Sequence, residues 1–540
     1  MKPTRLSLLR AASAMALITS PTVHAAGGSW NVNNSGTWST AGNWTPAAVP
    51  GTAAGDAVNL RFNISAARTV TINTAVTVGD LNIGDPTATL FSYTRAGTAL
   101  NLDGAAAAAA TVDFMAAVAN TISAPITLVD DGVFRANVNA GMTLSGVISG
   151  VGKTVTFNND TNGTANAAGT SLGQFVLSGA NTYSGGTSIS DVRVLVQTNA
   201  TALGSGNVTI GSGAQVLCNS ALNLANSFSI AGNGWVETAT GNPFGALRLD
   251  NGATVSGNVT MTANAAIGSN AGTGTVSGDI SGGFDLTKRG PGRINLSGNS
   301  SYGGITSVTN GILAATKPAA LPGFSTLHGN TVASGTTLGA FVGGAGEFTS
   351  ADVDTLRANS DFNTGSLLGL DPSNAPGGSF TYGSNISDAS GVAGTLGINK
   401  LGAGVLVLSG TNSYTGTTVV SSGALSITTT AALPGYDTDG SYSVANGATL
   451  AVGNGVSDGE ISTLLGTTNF TAGAILGFDT SAGDRTYAAV IGDTAQGALV
   501  LSKLGANTLL LTGANTYTGT TTVSAGTLVA GGGSAATGTL

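Results

Sequence analysis

An all-β chain, folded as a right-handed parallel β-helix with an N-terminal aromatic cap, is what three features of the sequence predict. The composition is rich in glycine and poor in charge, one phrase recurs four times, and the text between its copies is a run of short strands broken by Gly, Asn or Ser. Of 540 residues, 41% are apolar and 8% charged, enough to bury a core but without the usual solvated surface of Lys, Glu and Arg. The 83 glycines sit among abundant Thr, Ser, Asn, Val and Ala, residues of strands and tight turns. Positive mean hydropathy and a formal charge of only -8 argue against a disordered chain. No helix-period stripe is visible, so long helices are not expected.

The recurring phrase reads FVLSGANTYSGGTSIS, INLSGNSSYGGITSVTNGIL, LVLSGTNSYTGTTVVSSGAL and LLLTGANTYTGTTTVSAGTL. Its fixed points are an apolar strand, a Ser/Thr-Gly turn, an Asn, then Tyr183, Tyr302, Tyr414 or Tyr517. Gly185, Gly303, Gly416 or Gly519 follows, and then a second apolar strand. The tyrosines are 119 (302 minus 183), 112 (414 minus 302) and 103 (517 minus 414) positions apart. Leu356, Phe362, Gly365 and Asp371 return 108 positions later as Leu464, Phe470, Gly473 and Asp479. Lys400-Leu401-Gly402 returns as Lys503-Leu504-Gly505, and AALPG at 319–323 returns at 431–435. The repeats are placed near 172–210, 286–323, 396–435 and 499–530, within about four related units that fill 91–540.

Within a unit, strands such as Val208 to Ile210 alternate with Gly and Asn corners, which fits coils of roughly 20 residues stacked ~4.8 Å apart into a rod of roughly 100 Å. One face of each strand turns into a narrow core suited to Val, Leu, Ile and Ala, and Thr and Ser cover the other. The recurrent Asn is expected to accept a tight corner and to stack on a polar neighbour one coil away, while the Tyr packs the corner.

Residues 26–90 have another texture. Trp30, Trp38 and Trp44, three of the four tryptophans, lie within fifteen residues. They read as a cap over the unpaired edge of the first coil. Displayed tryptophans also stack on sugar rings, which keeps carbohydrate contact open. Residues 1–25 read as a secretory signal peptide, with Lys2, Arg5 and Arg10 before an apolar run from Ala11 to Ile18 and a small-residue cleavage site at Val23-His24-Ala25. That run is far short of the ~20 residues that span a bilayer, and no later segment supplies a transmembrane helix.

At these phrases the sequence resembles the autotransporter-associated β-strand repeat family, with its hallmark L(S/T)K-G-G-L-L(S/T)G-N-Y-G-T-V-G-L. The fourth unit follows it from Leu501 to Leu528 and the third from Lys400 to Leu425. The second follows it from Leu286 to Leu313, with Arg293 and Ile305 as departures, and the first keeps Val176 to Ser190. The resemblance implies a passenger region of an autotransporter: a secreted or outer-membrane-associated β-helix that supports export and displays surface functions. Its implied role is a non-enzymatic scaffold or adhesin, with cell-surface glycans or neighbouring surface proteins as partners. The alternating strands of a translocation barrel are not found in this chain, which ends at Gly538-Thr539-Leu540 just after a repeat and reads as a fragment or as a protein exported by another route.

A search for chemistry assigns no catalytic, cofactor-binding or metal-ligating residue. With 18 Lys and Arg spread thinly, there is no basic patch for nucleic acid. Cys218 is the single cysteine and reads as a buried apolar residue. The alternative class is a polysaccharide lyase or glycosidase, which needs convergent carboxylates. Its candidates are Asp130, Asp131, Asp352, Asp354, Asp371, Asp437 and Asp439, which read as solvated turns unless two gather with Arg or Lys in a groove. Asp437-Thr438-Asp439-Gly440 opens like a calcium loop, but the twelfth position is Ala448 rather than a Glu. Asp371 and Asp479 match between units, so a structural role is expected. His328 has no partner motif. Gly531 to Gly533 read as corner glycines, lacking the Lys-Ser/Thr of a phosphate loop. Lys288-Arg289, Lys400 and Lys503 share a motif position and are expected to cover one coil rather than to bind an anion.

Overall fold

The computed structural model describes residues 27–85, 93–114, 119–136, 141–159, 173–237, 241–388 and 394–531. The signal-peptide reading of 1–25 and Gly532 and Gly533 lie outside them.

The fold is all-β and built from parallel ladders. Ala57–Leu60 pairs with Asp80–Ile83, then Ala110–Phe114, Gly132–Ala136, Thr154–Asn159, Gly186–Ile189 and onward, each strand parallel to the last. A second ladder runs through Arg68–Ile72, Tyr93–Gly97, Asn120–Ile122, Gly141–Leu144 and Gln174–Leu177. A third joins Val76–Val78, Leu100–Leu102, Ile126–Leu128 and Ile148–Ser149. The chain visits the ladders in turn, and each visit adds one step to each.

Parallel pairing places like residues over like. Leu406, Leu425, Leu450, Leu476 and Leu501 are successive register partners, and each is fully buried. Ile294, Leu313, Leu338, Leu368 and Ile398 form a second column. Alternation of inward and outward side chains, such as Val405–Leu408 with only Leu406 and Leu408 buried, is what a half-buried strand requires. Phe134, Phe157 and Phe175 stack at 5.5 and 4.8 Å between ring centres.

The step length departs from the expected ~20 residues. It ranges from 19 (Val405 to Ala424) to 34 (Gly36 to Val70), because extra residues leave mostly at corners, with one register shift inside a strand, between Ile230 and Gly232. Two such excursions are helices, α1 at Ser350–Asn359 and α2 at Asp458–Leu465, which the absence of a helical stripe had not led us to expect. Their signal was local: Thr349-x-x-Asp352 and Ser457-x-x-Glu460 close as capping boxes, the carboxylate returning to the cap's N–H. Each anchors by two apolar residues, Val353 with Leu356 and Ile461 with Leu464, too few to show as a stripe. Among the described residues, no helix is long and apolar enough to cross a membrane.

Trp30, Trp38 and Trp44 are 2%, 0% and 1% exposed, so the alternative that they display rings to sugars is overturned. Gly28–Trp30 runs antiparallel to Trp44–Thr45, folding the rings onto one another at 5.1 and 4.8 Å. Their indole N–H groups donate to the Val32, Pro50 and Trp38 carbonyls at 2.8–2.9 Å, so the polar atoms are satisfied internally too. From Ala57 the segment already pairs as ordinary steps of the ladder, earlier than the boundary at 90 read from texture. Removing one ring should open this end. Trp38→Ala is expected to cost about 3–5 kcal/mol, read as lost hydrogen-exchange protection at Ala57–Leu60, while the Leu406–Leu501 column keeps its protection.

Candidate functional site

The residues most conspicuous in the sequence converge on the corners of the ladders. Lys288 is the first case. It is buried, and its Nζ donates to the carbonyls of Arg289 (2.9 Å), Gly290 (2.7 Å) and, one step on, Asn310 (3.0 Å). Lys400 repeats the pattern with Leu401, Gly402 and Ser422 at 2.8, 2.8 and 3.0 Å, and Lys503 with Leu504, Gly505 and Ala525 at the same distances. An ammonium has three N–H bonds, and here each meets a carbonyl. These lysines therefore do not lie over one step, as expected, but tie each step to the next.

The glycines explain the geometry. Gly402 sits at φ +61°, which turns the chain back so that successive carbonyls face the ammonium. Gly423, at φ +63°, crosses above it, and a Cβ there would lie 2.7 Å from Lys400 Nζ. Burial pushes the Lys288 ammonium down to about 7 and Lys400 to about 8, and lowers Lys503 as well.

The tyrosine corner is the second repeated unit. Tyr183, Tyr302, Tyr414 and Tyr517 are buried, and each hydroxyl pairs with the threonine four residues on, Thr187, Thr306, Thr418 or Thr521, at 2.5–2.8 Å. The Tyr-x-x-x-Thr spacing was present in all four phrases and was missed. Aligning by the tyrosine also moves the second unit's close glycine from Gly303 to Gly304, where a Cβ would strike the Phe284 backbone at 2.3 Å.

The asparagine two residues before Tyr does not stack on a polar side chain, as expected. Asn181 accepts from Ile148 N–H (2.7 Å) and donates to the Ala202 carbonyl (2.6 Å). Asn412 does the same with Ile386 and Ala432 at 2.9 and 2.7 Å. Its amide thus bridges the backbones of the steps on either side. Asp388 and Asp493 complete the corner. Asp388 accepts from Leu396 and Thr415 N–H, both at 2.9 Å, and these bonds outweigh its burial and hold its carboxyl low. Asp493 does so with Leu499 and Thr518.

The candidate acids scatter. Asp352 caps α1, and Asp354 receives the Tyr382 and Ser384 hydroxyls. Asp131 accepts from Thr154 N–H, and Asp439 from Thr468 N–H. Asp437 receives the Thr438 hydroxyl at 3.2 Å. Asp371 is no solvated turn: it is 1% exposed and pairs with Arg293 at 2.7 Å. His328, half exposed, meets Asp361 at 2.7 Å. Cys218 is buried, and burial raises its thiol pKa, the opposite of a reactive thiolate. Among the described residues, no group of three or more His, Cys, Asp or Glu could hold a metal.

Two clusters escaped the sequence reading because their members lie on different steps. Asp103 and Asp130 approach each other beside Lys153, which reaches Asp130 at 3.4 Å; burial and then Asp130 raise the Asp103 pKa. Arg193 and Arg248 grip Glu237 at 2.9 and 2.6 Å, with Asp250 2.8 Å from Arg248 and Arg193 over Trp235. The second cluster neutralises itself. A groove of about 310 Å³ opens beside Asp479, which is the one charged residue in its lining.

Loss of a clamp should be felt between steps. Lys400→Met leaves three carbonyls without their donor and is expected to cost on the order of 2–4 kcal/mol, read by hydrogen exchange of Ala424–Ile427. The sign of the pH effect follows from the lowered lysines. Between about pH 7 and 9.5 the unfolded chain holds protons that folded Lys288 and Lys400 have begun to lose, so these groups make stability rise with pH. Urea midpoints over that window should climb less steeply in Lys400→Met, and parallel profiles would disprove the assignment. Asn412→Ala, which strips partners from two buried backbone groups, is expected to cost about 2 kcal/mol in the same exchange measurement.

Residues 170–191, 286–315, 398–427 and 501–530 match the family described as passenger-associated-transport-repeat, and these segments carry the four tyrosine corners. The adhesin BmaC autotransporter of Brucella suis biovar 1 (strain 1330) is 27% identical over 356 residues, covering 60% of this chain and 9% of that protein. The chain thus spans less than a tenth of the length of that relative. No solved structure matches. The chain thus carries four segments similar to passenger-associated-transport-repeats, each seated on the same repeated corner geometry.

Proposed function

We propose that this chain is the right-handed parallel β-helix of an exported bacterial passenger region, a non-enzymatic scaffold that supports secretion and displays an adhesin-like surface. The observation that carries this reading is the threefold lysine clamp: Lys288, Lys400 and Lys503 each donate to a carbonyl of the chain's own next step. A fold whose steps bind one another in sequence can add steps one at a time, which suits folding as the chain emerges outside the cell. That the relative is an adhesin autotransporter supports a surface role. In this reading residues 1–25 direct export, the tryptophan turn at the start of 26–90 covers the first edge, and 91–540 carries the repeats.

The polysaccharide-active alternative has one observation on its side, the approach of Asp103 and Asp130 beside Lys153. Both readings meet in one experiment. The chain is incubated with bacterial and plant glycans and with intact cells, scoring retention and the release of reducing or unsaturated ends. Retention without release is expected. Release abolished by Asp103→Asn or Asp130→Asn would replace the scaffold with an enzyme, and absence of both retention and release would remove the adhesin-like role.

A further inference from the structure

Two consecutive units present the same carboxylate to the same outer face, and among the described residues only one of them supplies it with a cation of its own. In the earlier unit the face is built by Asn295, Ala314, Gly339 and Gly369, successive register partners, with Asp371 paired to Phe341 at its far end. Arg293 lies along this face. Its Nη2 reaches Asp371 Oδ2 at 2.7 Å, its Nε donates to Asn295 Oδ1 at 2.7 Å, and its guanidinium sits 5.0 Å from the Phe341 ring. Leu401 closes the face from the next step, so near that a Cβ on Gly369 would lie 2.7 Å from its Cδ1.

In the following unit the column reads Val407, Ser426, Ala451 and Gly477, with Asp479 in the place of Asp371. The carboxylate keeps its local bonds. Asp371 Oδ1 accepts from Ser373 N–H at 3.1 Å, and Asp479 Oδ1 accepts from Ser481 N–H at 3.0 Å. What fills the face has changed. Val405 stands where Arg293 stood (112 positions on), Gly453 where Phe341 stood, and Leu504 is partly exposed where Leu401 is buried. A groove of about 310 Å³ opens over Gly453, lined also by Val407 and by hydroxyls from Ser379, Thr381, Ser426 and Thr428.

The cations near Asp479 are committed elsewhere. Lys503 gives its three N–H bonds to carbonyls, as Lys400 does near Asp371, so the two units do not differ there. Arg485 binds the Gly453 and Val456 carbonyls and Asp458. Oδ2 of Asp479 receives one neutral bond, from Ser426 at 2.8 Å, where Asp371 Oδ2 receives a guanidinium.

We propose that the groove before Asp479 binds the arginine side chain of an extended segment of a partner protein, which takes the place that Arg293 takes before Asp371. The earlier unit shows what fits: a planar donor on Oδ2, with its aliphatic stem along the strand face. Val407 in the groove, with Val405 in register beside the lining Ser379, suits such a stem, and the hydroxyls suit the partner's backbone. The inference rests on the comparison of two units and stands whether or not the chain acts as an adhesin.

The test uses the chain with N-acetyl-arginine methylamide and, as the uncharged isostere, N-acetyl-citrulline methylamide, followed by saturation-transfer NMR and titration. The arginine compound should bind, the citrulline compound about tenfold or more weakly, and Asp479→Asn should lose the difference. The paired substitution Val405→Arg with Gly453→Phe copies the earlier unit into the groove. It should keep or raise the thermal midpoint while abolishing binding, which separates occupation of the site from loss of fold. Equal binding of the two compounds, undiminished binding by the filled variant, or no binding by the unaltered chain would each overturn the proposal. Binding of a neutral oligosaccharide that Asp479→Asn leaves unchanged would assign the groove to glycans instead.

Discussion

Everything in this structure depends on the parallel register between one step and the next. A strand of three to five residues, such as Val76–Val78 or Ala424–Ile427, cannot satisfy its backbone or bury its apolar face alone. It does both by lying in register on the step before it. Register also makes columns, so Leu406 through Leu501 meet as a buried stack and any side chain of the wrong size is felt by both neighbours.

The corners are where that register is most at risk, and the recurring polar residues are there. Loop length varies widely between steps, so loops cannot set the spacing. The Lys400 ammonium, the Asn412 amide and the Asp388 carboxylate can, because each holds backbone groups of more than one segment. Buried polar groups that are fully bonded in this way define position more sharply than apolar contacts do. They also explain how 8% charged residues suffice: several of the charges are not on the surface at all.

Repetition has a second consequence. Once the clamps and columns are kept, the outward faces are free to differ, and comparison of units becomes informative. Arg293 and Phe341 close one outer face and Val405 and Gly453 open its successor, with the carboxylate and its serine turn retained. Asp371 and Asp479 recur at one corner with the same serine bonds. Yet the same pair differs in surroundings, and that difference is where binding can arise.

The sequence by itself determined the all-β class, the existence and positions of the repeats, and their apolar columns, because period and composition are local properties of the text. It also carried signals that went unread, the Tyr-x-x-x-Thr spacing and the two capping boxes, which needed only alignment by the right residue. Tertiary structure alone decided the rest. That Trp30, Trp38 and Trp44 face inward depends on a hairpin that a tryptophan count does not encode. That Asp103 meets Asp130, that Lys288 reaches the Asn310 carbonyl 22 residues on, and that Asp371 has a guanidinium 78 residues away while Asp479 has none among the described residues, depends on loop lengths that set which residues lie over which. Those contacts are made across steps, and a one-dimensional period does not say how each corner shifts the next.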